Sequence, residues 1–422
     1  MLTKAPRGTK DILPKQSYKW HYVENAVREI AERFGYSEIR TPIFEHTELF
    51  ERSIGETTDI VGKEMYTFED RGERSITLKP EGTAPVVRAL IENKLYADAQ
   101  PTKLYYITPI FRYERPGAGR YRQHHQFGIE VFGAINPAVD VEVMHLAMSV
   151  YKKLGLKNLE LRINSVGCPK CRVKYNELLK QFLEPKLDNL CGTCHTRYEK
   201  NPMRIIDCKN DSCQVQVENV PLMLDNICEE CSSHFEGVKK YLKIIGIDFV
   251  VDPKIVRGLD YYTKTAFEIL SDEQGKKGTL CGGGRYDELV KQCGGPKTPG
   301  IGFGMGLERL IASLETQGIE IPKPKQPDIF IVTMSDEARE KGYKIIAELR
   351  DEGILSRIDY LDRSVKAQFK YANKVNARFR IILGEEELKN ETVTLKDSLT
   401  SINEELTLDE LAIKIKEKLG RA

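Results

Sequence analysis

Arginines, carboxylates and planar rings crowd one short run of this chain, Phe111 to Glu130, which reads FRYERPGAGRYRQHHQFGIE. Pro116, Gly117 and Gly119 mark a turn, so the run predicts two strands, 104–114 and 121–132, joined by a loop. Side chains alternate across a strand. Ile110, Arg112 and Glu114 therefore share one face of the first strand. His124, Gln126 and Glu130 share one face of the second, with Phe127, Ile129 and Val131 opposite. Arg115, Arg120 and Arg122 lie on or beside the same sheet. An always-charged guanidinium fork, a flat ring and two carboxylates on one sheet suit a planar, anionic ligand such as a nucleotide. The competing reading is a solvated charged face, the usual fate of a charge run. The apolar, aromatic opposite faces argue instead for strands central to a sheet.

Two further stretches offer ligand contacts. Glu81-Gly82-Thr83 ends a predicted hairpin (65–68 and 75–78) and opens a helix from Ala84 to about Lys94. A plain turn with Thr83 as N-cap explains it equally well. Residues 281–310, CGGGRYDELVKQCGGPKTPGIGFGMGLERL, are dense in glycine, which permits close backbone approach either to a ligand or to a neighbouring strand. Within them, 301–305 reads as a strand, and a helix opens at Gly306.

Eight of the ten cysteines fall between Cys168 and Cys231. Cys168-x2-Cys171 and Cys191-x2-Cys194, nineteen residues apart, match a four-thiolate zinc template. Cys208, Cys213, Cys228 and Cys231 make a looser second quartet, with His195 and His234 as spare ligands. Reduced thiols in an ordinary helical insert are the alternative. Cys281 and Cys293 stand apart as packing residues.

The elements that must position these groups follow from length and pattern. A chain of 422 residues, 41% apolar, holds two or three domains. Its 64 Lys and Arg nearly balance 63 Asp and Glu, so a nucleic-acid partner would be met through local patches. No segment approaches the roughly 18 apolar residues of a spanning helix, and the first residues lack a cleavable leader, so the expected location is the cytosol. Helices are predicted at 17–34, 140–154 and 234–246, and strands at 159–165, 249–251 and 261–270. A strand-like piece from Ile39 meets Pro42, which marks an edge or interface element. The stiff stretch 321–327, IPKPKQP, is the clearest linker. Beyond it, 328–422 alternate β and α as a separate module. Its helix from Val365 places Lys366, Lys370 and Lys374 on one face, with Arg378 and Arg380 after it. That stripe costs helix stability and suits either solvent or a polyanion.

Together the motifs resemble the bacterial histidyl-tRNA synthetases, of the class II aminoacyl-tRNA synthetases. Arg40-Thr41-Pro42-Ile43-Phe44-Glu45, Phe111-Arg112-Tyr113-Glu114-Arg115-Pro116 and Gly302-Phe303-Gly304-Met305-Gly306-Leu307-Glu308-Arg309 look like the three class motifs. Arg257-Gly258-Leu259-Asp260-Tyr261-Tyr262 and Gly283-Gly284-Arg285-Tyr286-Asp287 look like motifs specific to the histidine enzymes, supported by Leu78 to Thr83. The resemblance covers nearly the whole chain.

It implies an α+β fold, with an antiparallel sheet flanked by helices, a helical cysteine-rich insert and a C-terminal α/β anticodon-binding domain. The boundaries implied are 1–166 and 248–320 for the catalytic core, 167–247 for the insert, 321–327 for the linker and 328–422 for the last domain. It implies a homodimer that uses ATP with Mg²⁺, histidine and tRNA(His), and no membrane. Histidyl-adenylate and pyrophosphate form first, and the histidyl group then moves to the tRNA 3′ end. Arg112, Arg257 and Arg309 are the implied catalytic set, with Arg112 and Arg257 on the α-phosphate and carboxylate and Arg309 on adenine. ATP is further met by Glu114, Arg120 and His124. The Glu81-Gly82-Thr83 loop and Gln126 hold the amino-acid backbone. Glu130 and Tyr262 bond the imidazole nitrogens, with Tyr261 and Tyr286 lining the pocket. His124 replaces a usual phenylalanine, and Gly117 a frequent glutamine that faces the acceptor end. The family needs no metal in its insert, so zinc there would be structural only.

Two rivals explain less. A regulatory paralogue of the family would tend to lose the ATP-gripping arginines and the last module. A zinc-ribbon nucleic-acid-binding protein would account for the cysteines but not for the Glu81–Thr83, Glu130 and Arg257–Tyr262 constellation.

Overall fold

The computed structural model describes residues 4–55, 58, 60–117, 119–273 and 276–421. Residues 1–3 and 422, the outermost ends of the expected first and last domains, lie outside the described residues. The chain divides into two compact units between Pro322 and Lys323.

The first unit carries strands β1 (Ser37–Glu38), β2 (Phe44–His46), β3 (Tyr66–Glu69), β4 (Ser75–Leu78), β5 (Thr102–Phe111), β6 (Gln123–Phe132), β7 (Leu159–Ser165), β8 (Val250–Val251), β9 (Thr263–Glu273), β10 (Lys276–Arg285) and β11 (Gly300–Gly306). Eight of them make one sheet in the order β1-β5-β6-β11-β10-β9-β7-β8. Its six central strands are antiparallel neighbours, and only the two-residue edges β1 and β8 pair parallel. β2, β4 and β3 form a separate three-stranded sheet.

Alternation builds the two faces of the large sheet. Phe127, Ile129 and Val131 of β6 are buried in one core with Val23, Val27 and Ile30 of the helix Pro14–Arg33 and with Val143 and Ala147 of the helix Pro137–Lys153. Each such large apolar side chain contributes about 1.5–3 kcal/mol on burial. Proline opens both helices, where a missing N–H costs nothing, and Gly35 ends the first with φ +80°. The opposite face of β6, with Gln126 and Glu130, is left polar. In register, Ile110 of β5 lies beside His124, and Leu104 beside Glu130.

The strands of the opening run are shorter than alternation predicts. β5 stops at Phe111 and β6 starts at Gln123, so Arg112 and Glu114 leave the sheet and enter the connecting loop. The Arg112 N–H still bonds the Arg122 carbonyl at 2.9 Å, which holds the loop base closed.

Residues 167–247 contain helices and no strand among the described residues. Pro169–Leu183, Gly192–Lys200, Asp211–Gln216 and Glu229–Ile244 are linked by short 3₁₀ turns. A fully buried ion pair ties this region to the sheet. Arg285 of β10 pairs with Asp140 and Asp287, and Asp140 also meets His234 Nε2 at 3.1 Å. Burial alone would raise the Asp140 carboxyl, but Arg285 and His234 outweigh it and hold it below the usual range.

The second unit has a five-stranded sheet, β13-β12-β14-β15-β16, from Ser356–Ile358, Ile329–Thr333, Phe379–Leu383, Thr392–Asp397 and Asn403–Thr407. β12 runs parallel to both β13 and β14, whereas β14, β15 and β16 are antiparallel. Lys366, Lys370 and Lys374 of the helix Val365–Lys374 are exposed.

Candidate active site

The polar face of the large sheet floors a cleft of about 460 Å³. β5 and β6, with their loop, bring Arg112, Glu114, Arg120, His124 and Gln126 to it. The segment before β9 brings Arg257, Tyr261 and Tyr262, and the helix Leu307–Thr316 brings Arg309. Glu81 and Thr83 close another side. Gly82, Glu130 and Tyr286, also expected in the site, are not among the residues lining the cleft.

The sheet glycines explain how long polar side chains lie flat on that floor. A methyl group added at Gly302 would overlap the Glu130 carboxylate, one at Gly304 the Gln126 amide, and one at Gly282 the Arg257 guanidinium. Here the glycines leave room for site side chains from neighbouring strands and loops, which joins the packing and ligand readings of the glycine-rich stretch.

Each arginine is anchored by part of its fork. Arg112 Nε donates to the Pro80 carbonyl at 2.7 Å. Arg257 pairs with Glu268 at 2.5 Å and lies 5.4 Å from the centre of the Tyr262 ring. Its Nε is buried without a hydrogen-bond partner. Arg309 donates to the Thr279 carbonyl at 2.7 Å, and Arg120 Nε stands 3.9 Å from Glu114. Burial, then the charge of Arg112, lowers the His124 imidazole to about 3. The ring beside these arginines is therefore neutral at pH 7 and available for stacking.

Glu130 lies under the Thr83–Gln126 side of the cleft and is fully buried. Thr83 Oγ1 donates to it at 2.8 Å and Tyr106 Oη at 3.2 Å, and Tyr286 Oη makes a third, short bond. A carboxylate offers about four lone-pair positions, so three hydroxyls leave one. Burial pushes the Glu130 carboxyl up to about 8 against the lowering effect of those hydroxyls. Tyr286 packs edge-on to Tyr261 at 5.6 Å, and Tyr261 lies 4.7 Å from Tyr262.

Glu81 behaves differently from Glu130. It accepts from the Thr83 and Ala84 backbone N–H groups at 2.7 and 2.6 Å, and so satisfies the first turn of the helix Thr83–Glu92. Gly82 is the N-cap residue, not Thr83, whose hydroxyl is spent on Glu130.

Sequence reasoning passed over Tyr106, whose hydroxyl links Gln126 to Glu130. Parity on β5 was the available signal, because Tyr106 pairs with Gly128 on the polar face. It also passed over Glu268, the partner of Arg257, and Arg172, Asn201 and Arg204 of the insert. Arg172 donates to the Asp260 and Tyr262 carbonyls, Asn201 to the Asp260 carboxylate at 2.8 Å, and Arg204 to the Arg257 carbonyl at 3.3 Å.

The cysteine grouping differs from the sequential one. Cys168 and Cys171 meet Cys228 and Cys231, while Cys191 and Cys194 meet Cys208 and Cys213. Spacing identifies each pair but not which pairs fold together. The returning helix Glu229–Ile244 brings the last pair back to the first. His234 is not a ligand candidate, being committed to Asp140.

Comparison with known proteins gives a consistent result. A family model described as histidyl-tRNA synthetase matches residues 8–310, and an anticodon binding domain model matches 328–418. The histidine–tRNA ligase of Alkaliphilus oremlandii is 64% identical, with both chains covered in full, and that of Clostridioides difficile is 58% identical over 99% of this chain and all of its own. The apo histidyl-tRNA synthetase structure from S. aureus superposes with TM-score 0.84 at 45% identity, covering 98% of this chain and 99% of that one. The large antiparallel sheet with its flanking helices is accordingly a class II synthetase fold. With the family model spanning most of its length and full-length relatives this similar, the chain belongs to the histidyl-tRNA synthetase family.

Proposed function

We propose that the cleft performs both steps of histidine–tRNA ligation with the groups described above. The observation that carries this reading is one cleft that joins Arg112, Arg257 and Arg309 to a polar pocket backed by a buried carboxyl, Glu130. ATP enters as its Mg²⁺ complex, the metal belonging to the substrate. His124 and Arg309 sandwich adenine, Glu114 contacts its edge, and Arg120 meets the terminal phosphates. The histidine carboxylate attacks the α-phosphorus, the bond to the β-phosphate oxygen breaks, and pyrophosphate leaves. Arg112 and Arg257 approach the α-phosphate from opposite sides. Their donors match charge that grows on its oxygens, the kind of preorganised contact worth about 3–4 kcal/mol each. The buried Nε of Arg257 suits an anionic ligand. A tRNA 3′-terminal hydroxyl then attacks the adenylate carbonyl carbon and AMP departs.

Specificity rests on the imidazole. Glu130, ionised when the ring is bound, accepts from one ring N–H at its remaining lone-pair position and Tyr262 meets the other nitrogen, with Tyr261 and Tyr286 behind them. Gln126, Thr83 and the Glu81 loop hold the amino-acid backbone. A pocket whose buried polar groups are satisfied only by this ring rejects others by roughly 10⁴-fold or more. Competition by ring-methylated histidines tests it. Methylation at either nitrogen should weaken inhibition of activation at least tenfold, and an analogue methylated on one nitrogen that competes as well as histidine removes that contact.

The second unit reads tRNA through its exposed Lys366, Lys370 and Lys374. The protein works as a homodimer, supported by exposed Phe44 on the edge strand β2 and exposed Ile43, which follows Pro42 just before it. It acts in the cytosol, and among the described residues no helix is long and apolar enough to cross a membrane. Structural zinc in the insert, first expected on Cys168, Cys171, Cys191 and Cys194, takes no part in the chemistry and would use the regrouped cysteines.

A further inference from the structure

We infer that the helical insert carries two structural zinc ions in nested order, each held by four thiolates, and that they fix the loop bearing Arg257 and Tyr262. The outer site is Cys168, Cys171, Cys228 and Cys231, and the inner site is Cys191, Cys194, Cys208 and Cys213.

Sulfur geometry is the first support. Within each group all four Sγ atoms lie within 4.8 Å of one another. Cys168 approaches Cys171 at 3.5 Å and Cys228 at 3.9 Å, Cys171 approaches Cys231 at 3.9 Å, and Cys191 approaches Cys208 at 3.9 Å. Zinc–sulfur bonds of about 2.3 Å in a tetrahedron place the sulfurs about 3.8 Å apart. A disulfide would need about 2.05 Å. The spacing fits a central ion, and the eight cysteines are consumed with none left over.

Backbone N–H donors and helix N-termini face the sulfurs. Cys168 and Cys228 immediately precede helices of 15 and 16 residues, with Cys171 and Cys231 in the first turns, so two positive helix ends converge on the outer group. The Cys228 N–H donates to Cys171 Sγ at 3.1 Å, and the Cys191 N–H to Cys213 Sγ at 3.2 Å. Such second-layer donors orient and stabilise metal-bound sulfur. Each ion would displace four thiol protons and leave a cluster of charge −2, beside which Arg172 directly follows Cys171.

Nesting gives the ions a purpose. The outer site joins residues 57 positions apart and closes the insert, whereas the inner site joins residues 17 apart within it. The enclosed segment supplies the three side chains that grip the loop 257–262. Metal would add to the buried cluster of Tyr175, Leu179, Leu183, Met203 and Ile205 in holding this region together.

The test uses the full chain, produced with zinc in the medium and dialysed exhaustively. Elemental analysis should find two zinc ions per chain, with Cys228→Ser and Cys208→Ser each losing one. Growth with Co²⁺ should add thiolate-to-cobalt charge-transfer bands of two tetrahedral sites. A wild-type chain with one ion or none overturns the inference. If the variants precipitate, alkylation of the wild-type chain decides. The eight cysteines should resist iodoacetamide until a strong chelator is added, and equal labelling with and without chelator contradicts metal binding. The chelated protein should also show a histidine KM raised at least tenfold with the ATP KM changed less, whereas an unchanged histidine KM refutes the link to the loop.

Discussion

Replacing Glu130 by Gln separates what this residue does for the fold from the recognition proposed for it. The Glu130 carboxyl ordinarily titrates near 4.5 and is pushed up to about 8 in the fold. At about 1.4 kcal/mol per pH unit, the ionised group is about 5 kcal/mol costlier to hold folded than unfolded. Because the folded value is raised, its stability contribution is fully present below about pH 4.5 and is lost as pH rises through about 8. The resulting penalty is about 1 kcal/mol at pH 5, about 3 at pH 7 and near 5 at pH 9. Gln keeps the size and one acceptor oxygen, enough for the Thr83 and Tyr106 hydroxyls that share one Glu130 oxygen, turns its amide group toward the Tyr286 oxygen, and cannot ionise. Calorimetry of the ligand-free protein from pH 5 to 9 should show the melting temperature of Glu130→Gln gaining steadily on the wild type, by several degrees over the range. The same substitution should lower kcat/KM for histidine at least 10²-fold while the KM for ATP changes little. Melting curves that stay parallel across pH, or equal losses for histidine and ATP, would refute the reasoning.

Three other perturbations follow from the geometry. Arg112→Ala should reduce adenylate formation by about 10²–10³-fold with little effect on stability, because among the described residues its side chain bonds one carbonyl, that of Pro80, and it faces the cleft; single-turnover ATP cleavage checks this. Asp140→Ala leaves Arg285 buried without its main partner and should cost about 3–5 kcal/mol in denaturant unfolding. Changing Lys366, Lys370 and Lys374 to Glu should cut kcat/KM for tRNA at least tenfold and leave pyrophosphate exchange intact, so equal losses in both assays would move the tRNA contact elsewhere.

What could be read in the chain beforehand was set by local rules. Strict alternation in Phe127, Ile129 and Val131 identified the buried face of β6, and with it the polar face that became the floor. Leu159–Ser165, read as a strand, has those limits in the fold. Strand ends were less legible, because Arg112 and Glu114 continue the alternation of β5 after its ladder has stopped. β16 was missed because Asn-Glu-Glu-Leu-Thr is a charged edge strand with one buried side chain, Leu406. The short helix Glu385–Asn390 buries none of its residues and left no periodic signal. Cysteine pairing and the Arg172 contact to the pocket loop depend on how distant helices return, which spacing cannot encode. Tyr106 was legible by parity, and only its partners across β6 give it a role.

Radiolabelled pyrophosphate exchange into ATP, run with each of the twenty amino acids, tests the central claim most directly. Exchange should occur with histidine and fall to background with the other nineteen. A well-folded sample that exchanges with none of them, or that accepts glutamine or asparagine as readily as histidine, would contradict a cleft built around the imidazole ring.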